Sequence, residues 1–201
     1  MAQSKKIHTY LREHSIVFKR TRETFGGLSN MAIGYDITVG QIIVRSSEAL
    51  YQACRYPHLV DLQKIIIDQK KPMAAKMESI PFRSQTRNDW DVVRVPIMRW
   101  CLKAKLSCNW SRIKKLILST KNRPIVEESQ RDNYWGAIPQ ANGELKGRNQ
   151  LGRLLMELRE ELLKENNLNL RTVLPLNIKN FNLLGSPIHE IIVNKNYDSI
   201  L

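Results

Sequence analysis

The sequence predicts a predominantly helical α+β fold, formed as a single domain with a small β-sheet. Its 201 residues match the usual size of one domain. Hydrophobic residues make up 42% of the chain and charged residues 25%, which is ordinary for a globular protein and sufficient for a core. Segments with apolar residues at helical spacing occupy more of the chain than runs rich in β-branched residues, so helices should dominate.

Short β-branched runs predict the strands. SIVF (15–18) and ITVGQIIV (37–44) are rich in valine and isoleucine, and we predict short strands there. KRTRETFGGLSNMAIGYD, between them, has two basic pairs and a Gly-Gly break, which is typical of a loop. Near the C-terminus, HEIIV predicts an extra turn or strand.

Six segments have the apolar spacing or the start signals of helices. We place them at 46–57, at about 59–70, from Pro72, from Asn88 or Asp89, at 111–121 and from Leu151. The fourth contains Pro96, which lacks an N–H group, so we expect Pro96 to kink or divide that helix.

The first predicted helix has two distinct faces. Ser46 or Ser47 is a suitable N-cap, and SSEALYQACRYPH (46–58) places an apolar stripe on one side. Glu48, Tyr51, Gln52 and Arg55 are three and four residues apart and line a second, polar face. That face is either solvated, with Glu48 suited to the helix N-terminus, or it forms part of a functional site.

The charge of the chain is its most unusual bulk property. Thirty-two Lys and Arg residues against nineteen Asp and Glu residues give a formal net charge of +13. Such a charge favours a polyanionic partner or a phosphate-bearing substrate, because basic surfaces attract phosphates at long range. The alternative is a basic protein whose charge has no specific partner.

Cysteine and histidine usage predicts a cytoplasmic protein without a metal site or a cofactor. Cys54, Cys101 and Cys108 are odd in number and form no CxxC motif, so we interpret them as reduced core thiols. The four histidines form no HxxxH or HxH pair. No apolar run is long enough to span a membrane, and the N-terminus lacks the apolar core of a secretory signal, so we expect no membrane partner.

Two loops that precede helices have residues suited to phosphate. Lys19, Arg20 and Arg22 could meet phosphate groups, and the Gly26–Gly27 pair lets a ligand approach the backbone. In GELKGRNQLG, Gly147, Arg148 and Asn149 directly precede the last helix. Unpaired N–H groups there could hold a phosphate or pyrophosphate. The alternative for this second loop is an ordinary helix start with Asn149 as the N-cap.

Aromatic and acidic residues in polar contexts are further candidates. Trp90 at a helix start and Trp135 in a glycine-bearing loop could stack on a planar ring, or they could be core or lid residues. Trp100 and Trp110 are expected in the core. Glu48 and Asp132 are the carboxylates in the most informative contexts, and two carboxylates beside an anomeric carbon would make a glycosidase arrangement.

Five stretches occur in an order that resembles a known family. They are FGGLSN (25–30), SSEALYQACRYP (46–57), DWDVVRVPIMRWCLKAKL (89–106), RPIVEESQRDNYWGA (123–137) and GRNQLGRLLMELRE (147–160). Together they resemble the NADAR, or YbiA-like, family. The residues within these motifs are more similar to those of its antitoxin-like branch. The resemblance implies a mainly helical α+β catalytic domain at 15–165, with an N-terminal extension at 1–14 and a C-terminal extension of unknown role at 166–201.

The resemblance also implies an activity and site residues. The family cleaves N-glycosidic bonds in ribosylated compounds. The branch removes ADP-ribose from guanine bases in DNA and acts as an antitoxin, so ADP-ribosylated single-stranded DNA and a cognate DNA ADP-ribosyltransferase toxin are the implied partners. By this resemblance, Glu48 matches the position of the family's central catalytic acid. Trp90 and Asp132 match the two other positions that are associated with activity in the family. The positions on ligand-pocket motifs are Asn30, Gly136, Asn149 and Gly152, and Tyr51, Gln52 and Arg55 then form a pocket wall.

The mechanism we expect is hydrolysis of the bond between the anomeric carbon of ADP-ribose and a guanine nitrogen. The leaving nitrogen needs a proton, which Glu48 would supply with a pKa raised by burial. Asp132 would orient the ribose hydroxyls or the attacking water, and Trp90 would pack against the ribose or base. Lys19, Arg20 and the GRN turn would hold the pyrophosphate. In a variant mechanism, Lys19 is a nucleophile that captures the opened ribose as a Schiff base.

Two other functions are compatible with the sequence. One is an N-glycosidase for a phosphoribosylamino intermediate of riboflavin synthesis, which would need no contact with DNA. The other is a non-catalytic module that binds ADP-ribose, NAD or nucleic acid, and its affinity would survive Glu48→Gln. The net charge of +13 favours DNA over the small metabolite, but it does not separate an enzyme from a binding module.

Overall fold

The computed structural model describes residues 6–164 and 170–192, and these residues form an α+β fold in which helices dominate. The predicted fold class is confirmed. The described residues belong to two compact units. Of the described residues, the first unit comprises 6–29 and 115–164, and the second comprises 30–114 and 170–192. The predicted extensions at 1–14 and 166–201 lie partly outside the described residues, and their boundaries stay a prediction.

The described ranges contain six α-helices and eleven short strands. The helices are α1 (Ser47–Cys54), α2 (Val60–Asp68), α3 (Pro72–Ser79), α4 (Trp90–Cys108), α5 (Trp110–Leu118) and α6 (Gln150–Leu163). The strands are β1 (His8–Leu11), β2 (Ile16–Phe18), β3 (Ile37–Val39), β4 (Ile42–Val44), β5 (Ile125–Glu127), β6 (Ile138–Pro139), β7 (Glu144–Gly147), β8 (Thr172–Val173), β9 (Asn182–Leu183), β10 (Ser186–Pro187) and β11 (Ile191–Ile192). None of the helices in these ranges combines the length and the hydropathy that crossing a bilayer requires.

The first unit is built around two small sheets and α6. Strands β1, β7 and β6 form an antiparallel sheet, and β2 pairs with β5 in parallel. Val126, Ala137 and Leu145 form a buried cluster on which Tyr10 and Val17 pack. Helix α6 turns its leucine stripe inward and packs against β5, so the predicted last helix and its buried face are confirmed.

The second unit is built around α1, which packs against α2, α3 and α4. The hairpin β3–β4 and the antiparallel pairs β8–β11 and β9–β10 complete it. Ile191–Ile192 is the strand predicted from HEIIV. Cys54, Cys101 and Trp100 are buried as predicted, whereas Cys108 is only partly buried and contacts the backbone of Thr38.

Glycine and proline act differently at two places in this unit. The run 37–44 forms two short strands, because Gly40 has a φ of +60° and turns the chain between β3 and β4. Of the two effects expected of Pro96, a kink stays a prediction and division of the helix is wrong, since α4 continues on both sides of it. Val95, Ile97 and Met98 are buried, and their packing compensates for the one helical hydrogen bond that proline cannot make.

Lys105, on α4, is a buried cation within the second unit. Its side chain is only 2% exposed, and its amine lies 4.6 Å from the centre of the Tyr35 ring. Burial, and to a lesser degree the charge of Arg112, lowers the pKa of Lys105 to about 7. The folded chain therefore loses this proton well below the pH at which the unfolded chain does.

We expect the Lys105 amine to make stability rise with pH. Between pH 7 and the unfolded pKa of about 10.5, the unfolded chain binds the proton and the folded chain does not. Proton binding therefore favours unfolding, and the free energy of unfolding rises by up to about 1.4 kcal/mol for each unit of increase in pH. Lys105→Met should remove this gain. Urea unfolding from pH 6.5 to 9 measures it, with exposed Lys64→Met as the control. Parallel stability curves for the wild type and Lys105→Met would contradict the assignment.

Candidate active site

Helix α1 holds polar side chains in the interior of the second unit. Glu48 is 3% exposed, and Tyr51 and Gln52 are each 5% exposed. The helix begins because the Ser46 hydroxyl accepts a hydrogen bond from the N–H of Ala49, as the sequence predicted. The polar face of this helix is not solvated, since α2, α3 and α4 pack against the helix. The alternative of a solvated face, left open from the sequence, is therefore wrong.

The Glu48 carboxylate is bound on both oxygens by side-chain amides. Asn30 donates from Nδ2 to Oε2 at 2.5 Å, and Gln52 donates from Nε2 to Oε1 at 2.9 Å. The N–H of Glu48 also donates to the carbonyl of Asn30 at 3.0 Å, so Asn30 fixes both the backbone and the side chain of the acid. A buried carboxylate needs such donors, because it has lost its hydration.

Gln52 allows this site to hold a proton or to release it. Its Oε1 is buried and makes no hydrogen bond with any described residue. Rotation of the amide by half a turn would present this oxygen to Glu48 in place of the N–H group. A protonated Glu48 could then donate to Gln52, and an ionised Glu48 could accept from it. The Glu48–Gln52 pair therefore suits general acid–base chemistry.

Aromatic and cationic side chains contact one another on the same helix as this acid. The Tyr51 and Trp90 ring centres are 5.0 Å apart, and the Arg55 guanidinium lies 5.2 Å from the centre of Trp90. Arg55 is oriented by a 2.7 Å hydrogen bond from its Nε to Thr86. Burial, followed by the charge of Glu48, raises the pKa of Tyr51 well above its usual value, so this phenol keeps its proton.

In the first unit, Glu128 pairs with Lys19, one of the predicted phosphate-binding cations. Lys19 contacts one oxygen of Glu128 at 2.9 Å, and Arg12 contacts the other at 2.5 Å. Burial raises the pKa of Glu128, but the hydrogen bonds from Lys19 and Arg12 outweigh it and lower the pKa overall. Arg20 and Arg22 are exposed. Glu128 and Arg12 were not predicted from the sequence, because residues far apart in the chain are brought together here by the pairing of β2 with β5.

Asp132 shapes the loop that follows β5. Its Oδ1 accepts hydrogen bonds from the N–H groups of Tyr134 and Trp135, each at 2.9 Å. Its own N–H donates to the Ser129 hydroxyl at 3.0 Å. The rings of Tyr134 and Trp135 meet edge to face at 5.2 Å. The chemical role predicted for Asp132 stays a prediction, and the structure adds that this carboxylate orders the loop.

The turn before α6 does not present free N–H groups. The N–H groups of residues 148 to 151 all donate to carbonyls of the loop at 133–136. The expectation of an unpaired N–H cluster for phosphate at this turn is therefore wrong. Asn149 has a φ of +48°, and its side chain does not cap α6. Its Nδ2 donates to the carbonyl of Ile125 in β5, and its Oδ1 accepts from the N–H of Glu127. Both polar atoms of this amide are engaged within the fold.

The predicted glycines lie where backbones make close contact. A Cβ at Gly136 would meet the carbonyl of Glu127, and one at Gly147 would meet the carbonyl of Gly136. A Cβ at Gly152 would overlap the carbonyl of Ile125, where α6 packs on β5. Gly27 is buried in a short 3-10 turn that leads towards Asn30. Packing explains the glycines at 136, 147 and 152, and the predicted contacts of all four glycines with a ligand stay predictions.

The predicted site residues fall into two groups, one in each unit. Those gathered around α1 in the second unit are Asn30, Glu48, Tyr51, Gln52 and Trp90. Those in the first unit are Lys19, Arg20, Arg22, Gly27, Asp132, Trp135, Gly136, Gly147, Asn149 and Gly152. The structure thus gives Glu48 an environment suited to acid–base work, and it gives the first unit a loop built around Asp132 and a carboxylate that pairs with Lys19.

Comparison with known proteins agrees with this fold and identifies the family. Residues 17–163 match the NADAR domain model, and the chain belongs to this family. It is 30% identical over 166 residues to the N-glycosidase YbiA of Escherichia coli, with 81% of this chain and 98% of that protein covered. The NMR structure of E. coli YbiA has a TM-score of 0.62 and 32% identity, covering 76% of this chain and 87% of that one.

A second relative belongs to a longer protein. The riboflavin biosynthesis protein VVA0006 of Vibrio vulnificus is 32% identical over 156 residues, which is 78% of this chain. The chain spans only about two fifths of that relative, since 41% of its length is covered. The Vibrio protein therefore contains much that has no counterpart in this alignment.

Substitutions at Asp132 should separate its effect on the loop from its charge. Asp132→Asn retains the Oδ1 acceptor, so we expect the free energy of unfolding to change by less than about 0.5 kcal/mol. Asp132→Ala removes the acceptor for two N–H groups and should cost about 1–2 kcal/mol. Urea unfolding of both variants tests this. An equal loss in the two would mean that the charge of Asp132, and not its acceptor oxygen, stabilises the loop.

Proposed function

We propose that this protein is an N-glycosidase that removes ADP-ribose from guanine bases in DNA. The observation that carries the proposal is the buried Glu48 carboxylate, which has an amide donor on each oxygen and a Gln52 that can exchange donor for acceptor. Such a group can deliver a proton inside the protein. The family, with an E. coli relative named an N-glycosidase, supports the same bond type.

The reaction would break the bond between the anomeric carbon of the ribose and a guanine nitrogen. Glu48 would transfer its proton to that nitrogen as the bond breaks, while positive charge develops on the sugar. Water would add to the anomeric carbon and lose a proton to the Glu48 carboxylate, which restores the acid. The products are free ADP-ribose and the unmodified guanine. Proton transfer of this kind accelerates a reaction by about 10²- to 10⁴-fold.

Charge supports DNA as the carrier of the modified base. A net charge of +13 attracts a polyanion at long range, whereas a small phosphorylated metabolite gains less from charges distributed over the whole surface. Removal of the modification from DNA would make the protein an antitoxin to a DNA ADP-ribosyltransferase. A second candidate function is cleavage of a phosphoribosylamino metabolite, favoured by the name of the Vibrio relative. The same acid would serve both reactions.

The decisive experiment uses a single-stranded oligonucleotide that carries ADP-ribosylated guanine, analysed by mass spectrometry. The wild type should remove the ADP-ribose mass. Glu48→Gln should slow this at least about 100-fold, because the amide cannot donate an acidic proton. Gln52→Leu should lower kcat about 10-fold with little change in KM, since Glu48 loses its partner on Oε1. Exposed Glu78→Gln is the matched control and should retain full activity.

The outcomes separate the two candidate functions. Glu48→Gln should still fold, because a rotated Gln52 can accept the hydrogen bond that the new amide donates. If the wild type leaves the mass of the ADP-ribosylated oligonucleotide unchanged, the DNA substrate is rejected. The phosphoribosylamino compound would be tested next. Activity that survives Glu48→Gln would reject Glu48 as the acid. Inactivity on both substrates would leave a module that only binds its ligand.

Trapping distinguishes the two mechanisms. Direct hydrolysis leaves no covalent link between protein and sugar, whereas a Lys19 Schiff base would be fixed by borohydride as a stable adduct. We expect no adduct, because the Lys19 amine is engaged by Glu128 at 2.9 Å. Intact-mass measurement after reduction gives the answer. An adduct that is present in the wild type and lost in Lys19→Ala would establish the nucleophilic route instead.

A further inference from the structure

A cleft of about 310 Å³ lies within the second unit, between α4 and the segment at 170–176. Its α4 wall consists of Pro96, Arg99, Trp100 and Lys103, which are spaced to share one face of the helix. The other wall consists of Leu170, Thr172, Val173, Leu174 and Leu176. The volume falls at the lower end of the range for pockets that bind small ligands.

The walls of this α4 cleft are held together by fixed contacts. The Trp100 indole N–H donates to the carbonyl of Leu174 at 3.0 Å, and its ring meets Phe181 edge to face at 5.0 Å. One turn beyond the cleft, the Ser107 hydroxyl donates to the carbonyl of Arg171 at 2.6 Å. Pairing of β8 with β11 supports the outer wall. The cleft is therefore formed before any ligand binds.

The chemistry of the α4 cleft combines an apolar surface with positive charge. Leu174 is 67% exposed although it lies beside the buried Val173, so the cleft offers apolar surface to a ligand. Arg99 and Lys103 are one helical turn apart on the opposite wall. A suitable ligand therefore has a flat or apolar part next to an anionic group.

Positive charge continues beyond the α4 cleft along the same unit. Arg171, between two residues of the outer wall, places its guanidinium 4.7 Å from the centre of the Trp110 ring. Lys114 lies 5.2 Å from the centre of that ring. Nearby in sequence, Arg112 lies 4.4 Å from the centre of Tyr35. Cations interleaved with aromatic rings are typical of surfaces that follow a nucleic-acid backbone.

We propose that the α4 cleft binds an unstacked base of single-stranded DNA, with the adjacent phosphates on Arg99, Lys103 and Arg171. An unpaired base provides the flat apolar part, and the backbone provides several anions for a surface that has several cations. Duplex DNA is a poorer fit, because its bases are stacked and paired. The inference deepens the proposed function, on which it rests for the choice of DNA, by naming where the strand would be held.

The test measures binding of an unmodified strand by the full chain. A fluorescein-labelled 12-nucleotide oligothymidylate is titrated with protein, and anisotropy is followed between 50 and 200 mM salt. Arg99→Ala/Lys103→Ala should weaken binding at least 10-fold. The slope of log affinity against log salt should also fall by about 1.4, which is about 0.7 for each lost phosphate contact. Leu174→Asp should weaken binding comparably, since it places a carboxylate at the cleft.

Matched controls decide whether the effect is local. Lys70→Ala/Lys71→Ala removes the same charge from the exposed connection between α2 and α3, and it should change affinity less than 2-fold. An equal loss in the two double variants would overturn the proposal, because net charge alone would then explain binding. Competition by thymidine monophosphate as strong as by the oligonucleotide would also overturn it, in favour of a free nucleotide. So would variant-sensitive binding to phosphatidylserine vesicles without binding to DNA.

Two further measurements separate this inference from the proposed activity. Glu48→Gln should bind the oligothymidylate as tightly as the wild type does, because the strand is unmodified and no bond is cleaved. Arg99→Ala/Lys103→Ala should retain hydrolysis of an ADP-ribosylated guanine mononucleotide and lose efficiency on a 12-nucleotide substrate, through a higher KM. If no ADP-ribosylated substrate is cleaved but the binding results hold, the α4 cleft stands and the glycosidase proposal fails.

Discussion

The second unit depends on one constraint, the burial of a carboxylate within a short helix. Moving an ionisable group away from water is costly unless hydrogen-bond donors replace its hydration. Asn30 and Gln52 supply them to Glu48, and the carbonyl of Asn30 also accepts the Glu48 N–H. The position of the loop before β3 and the start of α1 are thereby tied to the same acid. An arrangement that exists to hold a charge in the interior is expected at a reactive site.

The first unit meets a different constraint, which is close approach of backbone to backbone. The loop at 133–136 accepts the N–H groups at the start of α6, and Asn149 ties that helix to β5. Gly136, Gly147 and Gly152 lie at the contacts, where a side chain would collide with a carbonyl. Motifs of the family thus have two kinds of residue. Some bring chemical groups into the interior, and others let the elements that hold those groups pack closely.

Chemistry and substrate recognition are distinct problems in the proposed reaction. Bond cleavage requires one acid that can exchange a proton, and in the proposed reaction Glu48 with Gln52 would provide it. Selection of DNA over a small metabolite requires affinity for a long anionic strand, which one acid cannot supply. Affinity for such a strand requires positive charge. A segment of 35 residues without an acidic side chain, at 92–126, gives this charge to α5 and to most of α4. The two relatives have different names. This is compatible with one kind of catalytic acid combined with surfaces that select different substrates.

The sequence by itself determined the fold class, the approximate limits of the helices, the apolar face of α6 and the cores around Trp100 and Cys101, because periodicity and capping are local properties. Its ordered motifs also indicated the family and singled out Glu48. Only the tertiary structure decided that the polar face of α1 is buried, that the turn before α6 has no free N–H groups, that Glu128 pairs with Lys19 and that residues 170–176 form a cleft with α4. Each of these features joins residues that are far apart in the chain. A local sequence pattern does not indicate which distant segment buries a helix face, accepts an N–H group or forms the opposite wall of a cleft.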